Sequence, residues 1–103
     1  MRERYPAYSS VHYRLGVVRF HQGDYAGARE HFERALEVNR AFGWEYHEAT
    51  TLVALARSRV RRTGVLDEDA RRWLDRAAAI AEERGLALVG TDVDRLRAGD
   101  VPV

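Results

Sequence analysis

Apolar residues along this chain recur every three or four positions almost from end to end, the spacing that places them on one face of a helix. The pattern predicts helices and no strand. Its clearest stretch runs from Leu15 to Gly43, LGVVRFHQGDYAGAREHFERALEVNRAFG. Leu15 and Gly16 fall in a first helix, Gly23 and Asp24 form a turn, and Tyr25, Ala28, Phe32, Ala35 and Phe42 follow one face of a second. Ala28 and Ala35 let the two helices approach closely while Tyr25 and Phe32 fill the space between them, an alternation that packing to native density requires. The stretch therefore reads as a helical hairpin.

Taken in order, the chain predicts five helices, over about 7–22, 25–42, 44–63, the stretch from Asp67 to Gly85, and 87–98. Pro6 suits a first turn, where its missing N–H costs nothing. The first helix carries two apolar stripes. Tyr8, Val11, Leu15 and Val18 are expected to pack on the second helix. Tyr13, Val17 and Phe20, about half a turn away, must meet the following helix pair, a ligand or another chain. Asp24 and Asp67 are expected N-caps, and Gly43 and Gly64 the glycines that end helices. The third helix offers Ala49, Leu52, Val53, Ala56 and Val60 to a core, with His47, Thr50, Ser58 and Arg61 on its polar side. The fourth offers Ala70, Trp73, Leu74, Ala77, Ala78 and Ala81. A last amphipathic helix presents Val89, Val93 and Leu96, and Gly99 to Val103 is expected to be a loose tail.

The hairpin occurs twice. AREHFERALEVNRAFG from Ala28 to Gly43 realigns with ARRWLDRAAAIAEERG from Ala70 to Gly85, and Gly64-Val65-Leu66-Asp67 echoes the turn at Gly23-Asp24-Tyr25. Leu15-Gly16, the Gly23-Asp24-Tyr25 turn, Ala28-x3-Phe32 and Ala35-Leu36 resemble the tetratricopeptide repeat, a helix-turn-helix unit. His12, Arg19 and Arg40 stand where that repeat has its Trp, Tyr and closing Pro. The period exceeds the usual ~34 residues and is similar to the long-helix variant of large bacterial signalling and transcriptional regulators. The resemblance implies an all-α, right-handed array of antiparallel helical hairpins. One domain is expected, with repeats over about 7–43 and 44–85 and a capping helix over about 87–98.

Composition narrows the function. A chain of 103 residues suits one domain with a modest core. Without Cys there is no disulfide, thiolate nucleophile or cysteine metal site. The charged start Met1-Arg2-Glu3-Arg4 lacks an apolar run behind it, so a cytoplasmic protein with no membrane segment is expected. All 17 basic residues are Arg, against 16 acidic ones, and a net charge of +1 gives no whole-domain field to attract nucleic acid. His47-Glu48 opens like the zinc motif H-E-x-x-H, but Thr51 stands where the second His belongs. Asp67, Glu68 and Asp69 suit the positive end of a helix dipole. Arg57, Arg59, Arg61 and Arg62 point in several directions on a helix, with only Arg57 and Arg61 stacked. No catalytic signature appears, and no enzyme, cofactor or metal is expected.

In the family this chain resembles, first-helix residues line a concave binding groove. That resemblance places Ser10, Tyr13, Val17, Phe20 and His21 in the groove from the first repeat, and Thr51, Ala54, Ser58, Arg61 and Arg62 from the second. Tyr13, Val17, Phe20, His21, Ser58 and Arg61 are the partner-binding candidates. A groove apolar at one end and basic at the other suits an amphipathic helix, or a peptide with acidic and aromatic anchors. The expected function is non-catalytic binding of a protein or peptide in bacterial regulation or signalling. The alternatives are a self-associating structural module or a piece of a larger regulator.

Overall fold

The periodicity becomes five α-helices, α1 (Arg4–His21), α2 (Tyr25–Ala41), α3 (Glu45–Thr63), α4 (Glu68–Arg84) and α5 (Ala87–Arg97). The computed structural model describes residues 4–99, with side chains from Ser9 onward. The side chain of Tyr8 and the tail beyond Gly99 lie outside the described residues. No strand occurs among them. The helices pack in sequence, α1 on α2, α2 on α3, α3 on α4, and α5 against both α3 and α4, with a lighter contact between α1 and α3. The chain is thus a helical repeat array.

Local chemistry sets where the helices begin and end. The Asp24 carboxylate accepts from Gly27 N–H at 2.9 Å and that of Asp67 from Ala70 N–H at 3.0 Å, each meeting one amide that a first turn leaves open. At Gly64 (φ +76°) and Gly85 (φ +69°) the backbone enters the left-handed region to terminate α3 and α4, where any Cβ would be strained. The core lies between α2, α3 and α4. Ala28, Phe32 and Leu36 meet Leu52, Leu55 and Ala56, which in turn meet Leu74, Ala77 and Ile80, and α5 closes that end with Val89, Val93 and Leu96.

The seam between α1 and α2 differs from the expected one. Val11, Leu15 and Val18, expected to pack on α2, are 51%, 39% and 50% exposed. Facing α2 instead are Ser9, His12 and Gly16. An added Cβ on Gly16 would stand 2.5 Å from the Phe32 ring, so the helices touch through a glycine and an aromatic edge. Ser9 Oγ donates to Asn39 Oδ1 at 2.6 Å, and His12 stacks on His31 with ring centroids 5.2 Å apart. This polar and glycine line turns the aliphatic stripe outward. It also turns Tyr13, Val17 and Phe20 inward, where they are half-buried against the core rather than standing clear of it.

Two buried polar groups tie the hairpins together. Asn39 Nδ2 on α2 donates to Thr51 Oγ1 on α3 at 3.1 Å, and Thr51 Oγ1 donates to His47 O at 2.8 Å. Glu48, 4% exposed, accepts from Arg40 Nε of α2 and Arg76 Nε of α4, each at 3.2 Å. Both guanidinium groups contact one carboxylate oxygen of α3, so removing Glu48 would leave two cations facing each other across the array.

Gly16→Ala is expected to destabilise the chain. Overpacking against Phe32 costs about 1–3 kcal/mol, more than the ~1 kcal/mol of helix propensity that alanine returns. In a Phe32→Ala background the same change should stabilise, and urea unfolding of the four chains tests the reversal.

The seam also predicts a pH dependence. Burial holds the His12 imidazole below its ordinary pKa, with His31 and Arg34 pushing the same way. The unfolded chain then takes up its proton first, so the contribution is complete above about pH 6.5 and is lost as the pH falls below that value. Tm should decline on acidification from about pH 7.5 to 5.5, and His12→Asn should flatten that slope.

Candidate functional site

The inward turn of Tyr13, Val17 and Phe20 opens a cleft between α1 and α3. Its smaller part, about 250 Å³, is lined by Tyr13, Val17, Phe20 and His21 of α1, Phe32 of α2, and Ala54 and Arg57 of α3. Its larger part, about 860 Å³, lies towards the start of α3. Ser9, Ser10, Tyr13 and Arg14 form one wall there, and Trp44, Tyr46, His47, Thr50 and Thr51 the other, with Glu45 and Arg84 at the edge. Tyr13 belongs to both parts, so they form one continuous surface. The volume is of the size that ligand clefts have.

Aromatic rings form much of the floor. Tyr13 tilts against Phe32 at 5.6 Å, and Phe20 meets Tyr25 edge-on at 5.4 Å. At the far end Phe42 stacks on Trp44 at 5.0 Å, and His47 stands edge-on to both Trp44 and Tyr46. Such rings offer large apolar area with little side-chain entropy to lose.

Cations outnumber anions along the cleft. Arg57 lines it with its Nε buried and without a hydrogen-bond partner, and the Arg61 guanidinium lies 5.9 Å over the Phe20 ring. The single carboxylate at the edge, Glu45, is already engaged by Arg84 at 2.6 Å and by Arg76. Burial pushes the Tyr13 phenol above its ordinary pKa, and Arg57 draws it partly back. The cleft therefore presents a phenolic O–H donor beside Arg57, with Asp92 of α5 near enough to raise the pKa of the same phenol.

The candidates from sequence fall into three groups. Tyr13, Val17, Phe20 and His21 line the smaller part together with Ala54, and Arg61 covers Phe20. Ser10 and Thr51 line the larger part. Ser58 does not reach the cleft surface. It is 2% exposed, with Oγ buried and without a hydrogen-bond partner, because a small residue is needed where α3 faces inward. The Arg57 to Arg62 run is dispersed. Arg59 turns away to pair with Asp67 and Asp69 and to lie 5.4 Å over Trp73, while Arg62 is exposed.

Sequence reasoning missed Arg14, Trp44 and Tyr46. The signal was there, since Phe42-Gly43-Trp44-Glu45-Tyr46-His47 crowds aromatic rings around one turn. Among the described residues no group of three or more His, Cys, Asp or Glu is placed to hold a metal, and no helix is long and apolar enough to cross a membrane.

Comparison with known proteins agrees with the hairpin fold. No curated protein and no solved structure matches the chain. A family model described as tetratricopeptide repeat matches residues 8–83, which span α2, α3 and nearly all of α1 and α4. Repeats of that family serve generally as scaffolds for protein–protein interaction. With hairpin packing, the Gly16–Phe32 approach and the family match all lying in the same residues, the chain belongs to the tetratricopeptide repeat family.

Proposed function

We propose that the cleft between α1 and α3 holds a peptide or a partner helix that carries acidic and aromatic side chains, and that the chain acts by this binding alone. The observation that carries this reading is the pairing of Arg57, its Nε unpartnered, with a wall of Tyr13, Val17 and Phe20. An apolar anchor fits between the rings, and a carboxylate meets Arg57 and Arg61. A guanidinium Nε that is buried without a hydrogen-bond partner is under-satisfied, so an incoming carboxylate gains a charge-assisted hydrogen bond there. Tyr46, Trp44 and His47 extend the surface for a longer ligand. The bacterial regulatory setting rests on the long repeat period.

Selection from a displayed library of random peptides tests this directly. Enriched sequences are expected to combine Asp or Glu with an aromatic or large aliphatic residue. Binding of such a peptide should weaken at least about tenfold with Phe20→Arg and with Arg57→Glu, each keeping its helical circular dichroism. Enrichment of basic peptides, or affinities indifferent to Arg57→Glu, would overturn the reading.

A further inference from the structure

We propose that the outward face of α1, which meets the cleft only at Arg14, is a second docking surface, and that it takes one amphipathic helix of a partner protein with an aliphatic or alanine stripe and acidic flanks.

The surface is defined by what it lacks. α1 and α3 open successive hairpins, yet their surroundings differ. α3 is flanked by α2 on one side and α4 on the other, and its Leu52, Leu55 and Ala56 are fully buried. α1 is flanked by α2 and lightly by α3, and no described helix packs on its opposite side. On that side Val11, Leu15 and Val18 recur at i, i+4 and i+7, an exposed apolar stripe about 10 Å long at 1.5 Å per residue. At about 100° per residue, Arg14 lies on one flank of the stripe and Arg19 on the other. The array itself shows what covers a helix in this position. α2 lies on α3, with Ala35, Leu36, Val38 and Asn39 among its buried residues. The matching occupant for α1 is likewise a helix.

Charge identifies its flanks. The α1 sequence contains Arg4, Arg14 and Arg19 and no Asp or Glu. Arg19 reaches only Asp24 at 3.9 Å, and Arg14 has no carboxylate partner among the described residues. Where α2 meets α3, an arginine of one helix finds a carboxylate of the other, Arg40 to Glu48. On α1 the cations are already in place, so the incoming helix supplies the carboxylates. A second copy docking by the same face would gather arginines from both chains with no acid between them, which argues against self-association here.

The probe is a synthetic amphipathic peptide about five turns long, with an Ala/Leu stripe and Glu on both flanks, compared with the same peptide carrying Lys in place of Glu. Two-dimensional NMR of the labelled chain should show shifts confined to the α1 amides around Val11, Leu15 and Val18, and fluorescence anisotropy should give a saturable affinity for the Glu peptide. Leu15→Glu should weaken it at least about tenfold. Arg19→Glu, on the flank away from the cleft, should shift preference towards the Lys peptide, a change that loss of folding could not produce. Arg57→Glu, in the cleft, should leave binding to this face unchanged. The proposal is overturned if the Glu and Lys peptides bind alike, if neither binds, or if the shifts fall on Tyr13, Val17 and Phe20. It is equally overturned if light scattering shows a dimer that Val18→Glu converts to monomer.

Discussion

The close approach of Gly16 to the Phe32 ring decides how the first helix faces the rest of the molecule. A helix is a cylinder with residues at fixed angles, so settling one contact settles all the others. With Gly16 against Phe32 and Ser9 and His12 on the same line, Tyr13, Val17 and Phe20 must fall between α2 and α3. Val11, Leu15 and Val18 must then fall outside. The cleft and the outward stripe are two consequences of one packed contact. A larger residue at position 16 would roll the helix or push it off, and both surfaces would change together.

Apolar packing alone would leave the hairpins free to slide along one another, since alanine-lined seams accept several registers. The polar contacts remove that freedom. Ser9, Asn39 and Thr51 form a line of hydrogen bonds from α1 through α2 to α3, and each bond works only at one register. Glu48 does the same for α2, α3 and α4 through Arg40 and Arg76. Ion pairs between half-exposed arginines and one buried carboxylate add little net stability, because the desolvation of Glu48 offsets most of the attraction. Their effect is geometric. They fix the separation between α1 and α3, and so the width of the cleft.

Much of the architecture was legible in the sequence because it rests on local rules. Asp24 and Asp67 cap helices through short-range hydrogen bonds, Gly64 and Gly85 end them through backbone conformation, and Ala28, Phe32, Ala70 and Leu74 mark the core through spacing. The inward line of Tyr13, Val17 and Phe20 was legible as a second stripe, with the family resemblance pointing to a groove. The misplacement of Val11, Leu15 and Val18 has a definite cause. Hydrophobicity ranks an aliphatic stripe above a line of Ser9, His12 and Gly16 as a candidate seam, yet glycine permits an approach that leucine forbids, and paired imidazoles or a Ser–Asn bond satisfy polar groups at the contact. Ser58 was misjudged for the same reason, as a small hydroxyl reads as surface until a neighbouring helix requires its size. Arg57 and Arg59 could not be told apart by sequence, because the partners that separate them lie on other helices.

A net charge of +1 conceals an uneven distribution, and that unevenness bears on function. On α2, α4 and α5 arginines pair with nearby carboxylates, Arg29 with Glu33, Arg72 with Glu68 and Asp69, Arg97 with Asp75. Those pairs are neutral at short range, while Arg34, Arg71 and Arg95 on the same helices carry no ion pair among the described residues. On α1, and on the side of α3 that faces it, Arg14 and Arg57 stand beside aromatic or aliphatic residues and make no ion pair among the described residues. Unpaired cations on an apolar background discriminate strongly, because a neutral or basic ligand would strip water from them and return nothing. An array whose total charge is nearly balanced can therefore be selective for acidic partners at chosen faces, provided its carboxylates are spent elsewhere.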